Sequence, residues 1–240
     1  MTMRYSIIFF SLSVAILFGA GFAKAGDFAE RRIIGFSENG TYFAFEQFGV
    51  QDGSGFPYSD IFILNITNDT WAAGSPFRTR LDDEMQDVNA ARAVTANKAA
   101  STIASLGIHD AGTLLASNPI TEVGADAHHV TFRPTPHFNA EWQLAINEFQ
   151  MVANGCAGFE QDIRGFALAL KLDGGQPPKI MHQDNSIPSS RHCPLNYGVS
   201  DVILHGDYNA PNQLIVLVRV LSVGFEGPDM RFIAIPAIID

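Results

Sequence analysis

The sequence predicts a mainly β fold of three antiparallel, blade-like sheet units with one inserted α-helix over about residues 81–106. Two observations carry this. A strand, a loop bearing Gly-Phe near an acid, and a returning strand of bulky residues recur three times, and internal recurrence is a strong sign of modular architecture. Between the first and second passes the composition switches to alanine-rich with helical apolar spacing.

Near its start the chain carries Arg4, an apolar run from Ile7 to Phe18 and a small-residue site at Ala23-Lys24-Ala25. The run is too short to span a bilayer comfortably, so residues 1–25 read as a secretory signal peptide and 26–240 as a single secreted β-rich domain. Beyond it no apolar run approaches the roughly twenty residues of a membrane helix.

Arg32 to Ser37 alternates weakly and meets Asn39-Gly40, a pair suited to a tight hairpin turn. Thr41 to Phe48 is aromatic and alternating, as a half-buried strand requires. Gln51 to Pro57 holds too many breakers to sit inside a sheet. Asp60 to Ile66 is again a strand, and Thr70 to Arg80 a fourth, broken at Gly74 and Pro76. For the helix, Asp82 and Asp83 suit an N-terminus, Leu81, Met85, Val88, Ala99, Ile103 and Leu106 share one face, and Gly107 supplies the stop. Ile108 to Ala127 reads as a connector with one strand at Thr113 to Ala116, followed by a strand at His128 to Arg133.

The second pass runs from Trp142 to Val152, through Gly158-Phe159, to Gly165–Leu172. The third runs from Val199 to Gly206, through a turn at Asn209 to Asn212, then Leu214 to Val223, Gly224-Phe225 and Arg231 to Pro236. Phe56 with Asp60, Phe159 with Asp162, and Phe225 with Asp229 hold matching places in the three passes.

Within the first unit, Gly35-Phe36-Ser37, Gly40, Ala44-Phe45 and Asp60-Ile61-Phe62-Ile63 resemble a WD40-like blade, which makes the expected units propeller-like. Over nearly all the chain after residue 25, GFSENGTYFAFEQFGVQDGSGFPYSDIFIL, HFNAEWQLAINEF, IPSSRHCPLNYGVSDVILHG and GFEGPDMRFIAIPA resemble a family of predicted secreted bacterial proteins with a domain of unknown function. That resemblance implies export and a single domain; it brings no activity, substrate or catalytic residue.

Charge narrows the partners. The chain carries a formal net charge of −10, and loss of Arg4 and Lys24 with the signal segment makes it more acidic still. Nucleic acid is excluded as an expected partner, because its phosphates call for a basic surface. Two cysteines, Cys156 and Cys193, in an oxidising compartment point to one disulfide; two buried thiols or a Cys/His metal site are the alternatives, and neither cysteine has the short spacing of a zinc site.

For chemistry, His182, Asp184, His192 and His205 form the densest group of metal-ligand residue types, and Ser189-Ser190-Arg191-His192 places serine beside histidine. These support an alternative reading as a metal-dependent or Ser/His hydrolase. No zinc-protease signature and no nucleophile elbow is present, and no cofactor is expected. The favoured expectation is a non-enzymatic binding or envelope-associated module. If the units stack in one sense, the loops of Phe56, Phe159 and Phe225 gather on one edge beside Asp60, Asp162 and Asp229, a surface suited to a protein, peptide or glycan partner.

Overall fold

The computed structural model describes residues 26–135, 139–159, 162–206 and 212–239. The expected signal segment and most of the turn expected at Asn209 to Asn212 lie outside these residues. In the first unit, β1 (Glu30–Ser37), β2 (Tyr42–Val50) and β3 (Pro57–Asn65) run antiparallel. The first turn falls at Asn39-Gly40: Gly40 takes the left-handed conformation that glycine tolerates best, and its N–H donates to Ser37 O at 2.8 Å. Two short strands, β4 (Thr70–Trp71) and β5 (Phe77–Arg80), both pair with β3, the break between them spanning Gly74 and Pro76.

The helix α1 (Val88–Ser105) begins later than its apolar spacing predicts. Its N-cap is Asp87, whose carboxylate accepts the Asn89 N–H at 2.7 Å. Asp82 is held instead by Arg80, and Asp83 closes a separate turn through Met85 N, so the residues from Leu81 to Gln86 form an irregular approach. Ala91, Thr95 and Ala99 form the buried face, and this small-residue stripe lets the helix lie close to the first sheet. There Thr95 Oγ1 donates to Ser59 O.

After α1 come β6 (Ile108–Asp110), which pairs with β1, and β7 (Thr113–Ser117). The second unit comprises β8 (His129–Phe132), β9 (Trp142–Gln150), β10 (Arg164–Lys171) and β11 (Lys179–Gln183), in spatial order β11-β10-β9-β8. A 3-10 turn at Ser189–Arg191 leads into β12 (Pro194–His205), β13 (Asn212–Ser222) and β14 (Asp229–Ile239); with β7 these make the third sheet, in order β14-β13-β12-β7. The strands β6 and β11 were not expected from the sequence.

Each sequence unit therefore has its own antiparallel sheet, and none of the three closes on itself. Their packing order differs from their chain order. The third sheet lies between the other two: Ile203, Ile215, Leu217 and Phe232 pack on Phe36, Phe43, Phe45 and Phe62 of the first sheet. On the opposite face, Val202, Leu204, Val216 and Val218 meet Leu144, Ile146, Phe166 and Leu168 of the second. This is why β13 reads as the nearly unbroken apolar run Leu214 to Val220. Its one charge, Arg219, donates from Nη1 to the carbonyl of Asn118 at 2.8 Å.

One buried charge cluster ties α1 to the stack. Glu46, on β2, accepts from Arg92 of α1, Arg32 of β1 and Ser59 of β3. Burial alone drives its carboxyl upward, but these bonds outweigh burial and hold it below the ordinary carboxylate range. Removing one member of such a set leaves buried charge uncompensated.

Candidate functional site

Loop 51–56 follows β2, the described residues 151–159 and 162–163 lie between β9 and β10, and loop 223–228 follows β13. The first and third touch. Asp52 accepts the Glu226 N–H at 3.0 Å, and Gly53, in the left-handed conformation, faces the Phe225 ring so closely that a side chain there would crowd it. The second loop is tethered by the disulfide between Cys156 and Cys193, which the structure forms with Cα atoms 5.7 Å apart. Cys193 O in turn accepts the Val223 N–H at 2.9 Å, and Val223 packs against the disulfide beside Ile163.

The phenylalanines of these loops differ in exposure. Phe225 is 80% exposed and Phe159 47%, whereas Phe56 is half-buried with the Arg80 guanidinium over its ring. Their carboxylates do not form a common set. Asp162 is exposed and accepts from Gln150, and Asp229 accepts the Asp27 N–H while burial pushes its carboxyl up. Asp60 points into a separate feature.

That feature is an open cleft of about 790 Å³ between the first sheet and the β14 edge of the third, with the 3-10 turn at Ser189–Arg191 as its far wall. Asp60 and Arg78 face each other across the β3–β5 register, with Arg78 Nε 3.9 Å from Asp60 Oδ1. Asp60 Oδ2 accepts from Gln47 Nε2 at 3.3 Å. Burial pushes the Asp60 carboxyl above its ordinary range, against the opposing pull of Gln47 and Arg78. The aromatic side of the cleft is Trp71 against Phe62, ring centroids 5.4 Å apart, with Phe62 stacked on Phe45 behind it. At the inner end Arg231 is bound by the carboxylate of Asp27, which also accepts from Tyr58 Oη at 2.8 Å.

The four residues grouped from sequence as a metal or hydrolase centre are divided. Asp184 is buried and saturated: it accepts from His182 Nε2 at 2.8 Å, from Arg191 Nη1 at 2.7 Å and from Phe166 N at 2.9 Å. Arg191 lies over the Phe166 and Tyr197 rings, which pack on each other with centroids 4.4 Å apart. Burial raises the Asp184 carboxyl, but these donors prevail and hold it low. His192 is exposed at the cleft rim. His205 is at the other end of the twelve-residue β12, roughly 35 Å away at the rise of an extended strand, paired with Asp110 and Gln213 and packed on Phe36. Among the described residues no three His, Cys, Asp or Glu side chains are placed to hold one metal ion.

Of the residues singled out from sequence, the structure thus brings Asp60 and His192 to one cleft and Phe225 to the loop cluster beside it. Trp71, Arg78 and Arg231 were missed. Trp71 carried a readable signal, a large aromatic in the polar turn Asn68-Asp69-Thr70-Trp71, whereas the pairing of Asp27 with Arg231 across the chain had none.

Fold and site together describe an exported, mainly β protein with an open inter-sheet cleft. The chain belongs to the family described as predicted secreted protein, domain of unknown function 2259, whose model matches residues 44–237. Searches of curated proteins and of solved structures found no match. Among the described residues no helix is long and apolar enough to cross a membrane.

Proposed function

We propose that the protein is a non-enzymatic, secreted binding module of the envelope, a single domain over residues 26–240 after loss of the signal segment 1–25. It holds a ligand in the cleft between the first and third sheets, with the phenylalanine-bearing loop end beside the mouth. The observation that carries this reading is the cleft itself. Its volume falls in the range of small-molecule and cofactor sites, and it combines an exposed indole with a half-buried carboxylate and an exposed guanidinium whose hydrogen-bonding capacity the protein leaves partly unused. A carboxyl pushed upward by burial in a cleft is also a frequent mark of a functional site. Phe225 and Phe159 add apolar area near the same end, of the kind that anchors a bound partner.

Hydroxyl-radical footprinting of the secreted chain, with and without an extract of the envelope, tests the proposal. The expected result is protection of Trp71, Arg78 and the Ser189–His192 segment, extending to Phe225. Protection confined to the outer face of the second sheet, or none anywhere, contradicts it.

A further inference from the structure

We infer that the cleft takes a neutral saccharide, a ligand class argued on the binding proposal above. A sugar ring offers one face of C–H groups and a fringe of hydroxyls, and the cleft offers the complement of both. Trp71 is 47% exposed and braced from behind by Phe62, giving a rigid aromatic face for the C–H side. Asp60 and Arg78 sit side by side at its edge, an acceptor and a fork of donors matched to neighbouring hydroxyls. The exposed Ser189 and Ser190 stand on the facing wall.

Charge points the same way. Each arginine that lines the cleft already has its carboxylate: Arg231 has Asp27, Arg191 has Asp184, Arg80 has Asp82 and Arg78 has Asp60. The lining itself holds four arginines and two aspartates, and Asp27 and Asp184 behind it bring the local charge to balance, so no arginine is left without a counterion to call for an anionic ligand. Hydrogen-bond geometry and an aromatic face remain as the means of recognition.

An extended peptide is the competing occupant, and the strands beside the cleft are closed to it at the positions a peptide would use. On β14, Met230 exchanges hydrogen bonds with Asp27 and Ala29, and the Phe232 N–H is taken by Gln47 Oε1 at 3.0 Å. On β5, the Arg78 carbonyl accepts from Lys98 Nζ at 2.8 Å. Strand addition needs these groups free.

The fluorescence of the protein makes a direct test, because Trp142 is buried in the second sheet and Trp71 is the exposed reporter. The chain is titrated with N-acetylglucosamine and glucose tetrasaccharides and with an uncharged peptide of similar length, followed by tryptophan emission and calorimetry. Saturable binding of a saccharide that shifts Trp71 emission is expected. Trp71→Ala and Asp60→Asn should each weaken it at least about tenfold, the effect of losing one good contact, with an unchanged circular dichroism spectrum. If only the peptide binds, and does so through Trp71, the saccharide inference is overturned while the cleft remains a binding site. If neither saccharide nor peptide binds and envelope extract leaves Trp71 unprotected, both the inference and the binding proposal fall.

Discussion

The two ends of the central sheet are built to different rules. At the end of β12 that carries His205, side chains are spent on one another: His205 meets Asp110, Gln213 and the Phe36 ring, and Gly40 leaves no room for a side chain beneath them. At the end that carries Cys193, the sheets splay around a cleft, Phe225 stands in solvent, and a disulfide does the joining that packing does elsewhere. Stability concentrated in one region and exposed aromatic and polar groups in another is the distribution expected when one end supports and the other binds.

That contrast can be broken from the packed side first. Glu46→Gln removes the shared anion of Arg32, Arg92 and Ser59, and should cost about 1.5–3 kcal/mol in chemical denaturation, the worth of hydrogen bonds to a charged group whose arginine partners keep access to water. A loss below about 1 kcal/mol would show that water reaches the Glu46 carboxylate too. Replacing Cys156 and Cys193 together by serine releases a loop closed over a sequence separation of 37 and should cost roughly 4 kcal/mol on the chain-entropy account. Hydrogen exchange should place the loosening in the 151–163 loop and around Val223, leaving the Leu214–Val220 core protected.

Acid should act on the buried carboxylates with a definite sign. The carboxyls of Glu46 and Asp184 are held below their ordinary range, so their stabilisation is complete above that range and is lost as pH falls through their depressed values. Asp60 works oppositely. Its carboxyl is raised, so ionisation costs the folded state more than the unfolded chain, and stability is lost as pH climbs through the raised value. Asp60→Asn should therefore match the parent in acid and gain a little stability at neutral pH, seen as a higher melting midpoint there. A variant less stable than its parent at neutral pH would show that Gln47 and Arg78 already satisfy the carboxylate. The smallest effect belongs to Phe225→Ser, expected within about 0.5 kcal/mol of the parent because its ring is solvated.

Much of the fold was legible in the sequence, and the reason is periodicity. The alternation of Thr41 to Phe48, the turn at Asn39-Gly40 and the unbroken run of β13 are local patterns that burial imposes on strands. The short strands β6 and β11 escaped because three to five half-exposed residues carry no period of their own and depend on a partner strand. The helix start was misread at Leu81 and Met85, whose spacing fits a helix but whose neighbours Asp82 and Asp83 bond to Arg80 and Met85 N. The site was harder still. His192 and His205 look adjacent in a list of histidines, yet a strand runs between them, and extension separates what sequence places close. The cleft itself joins β3, β5, β14 and the 189–191 turn, a meeting that depends on the third sheet inserting between the other two.

The central claim is that the open end and cleft bind rather than support. Its most direct measurement is a single variant, Trp71→Ala with Phe225→Ser, compared with the parent for both its denaturation midpoint and its footprint in envelope extract. The account predicts a midpoint close to the parent's and loss of protection at Arg78 and the Ser189–His192 segment. A variant that unfolds early, or one that keeps the full footprint, would contradict it.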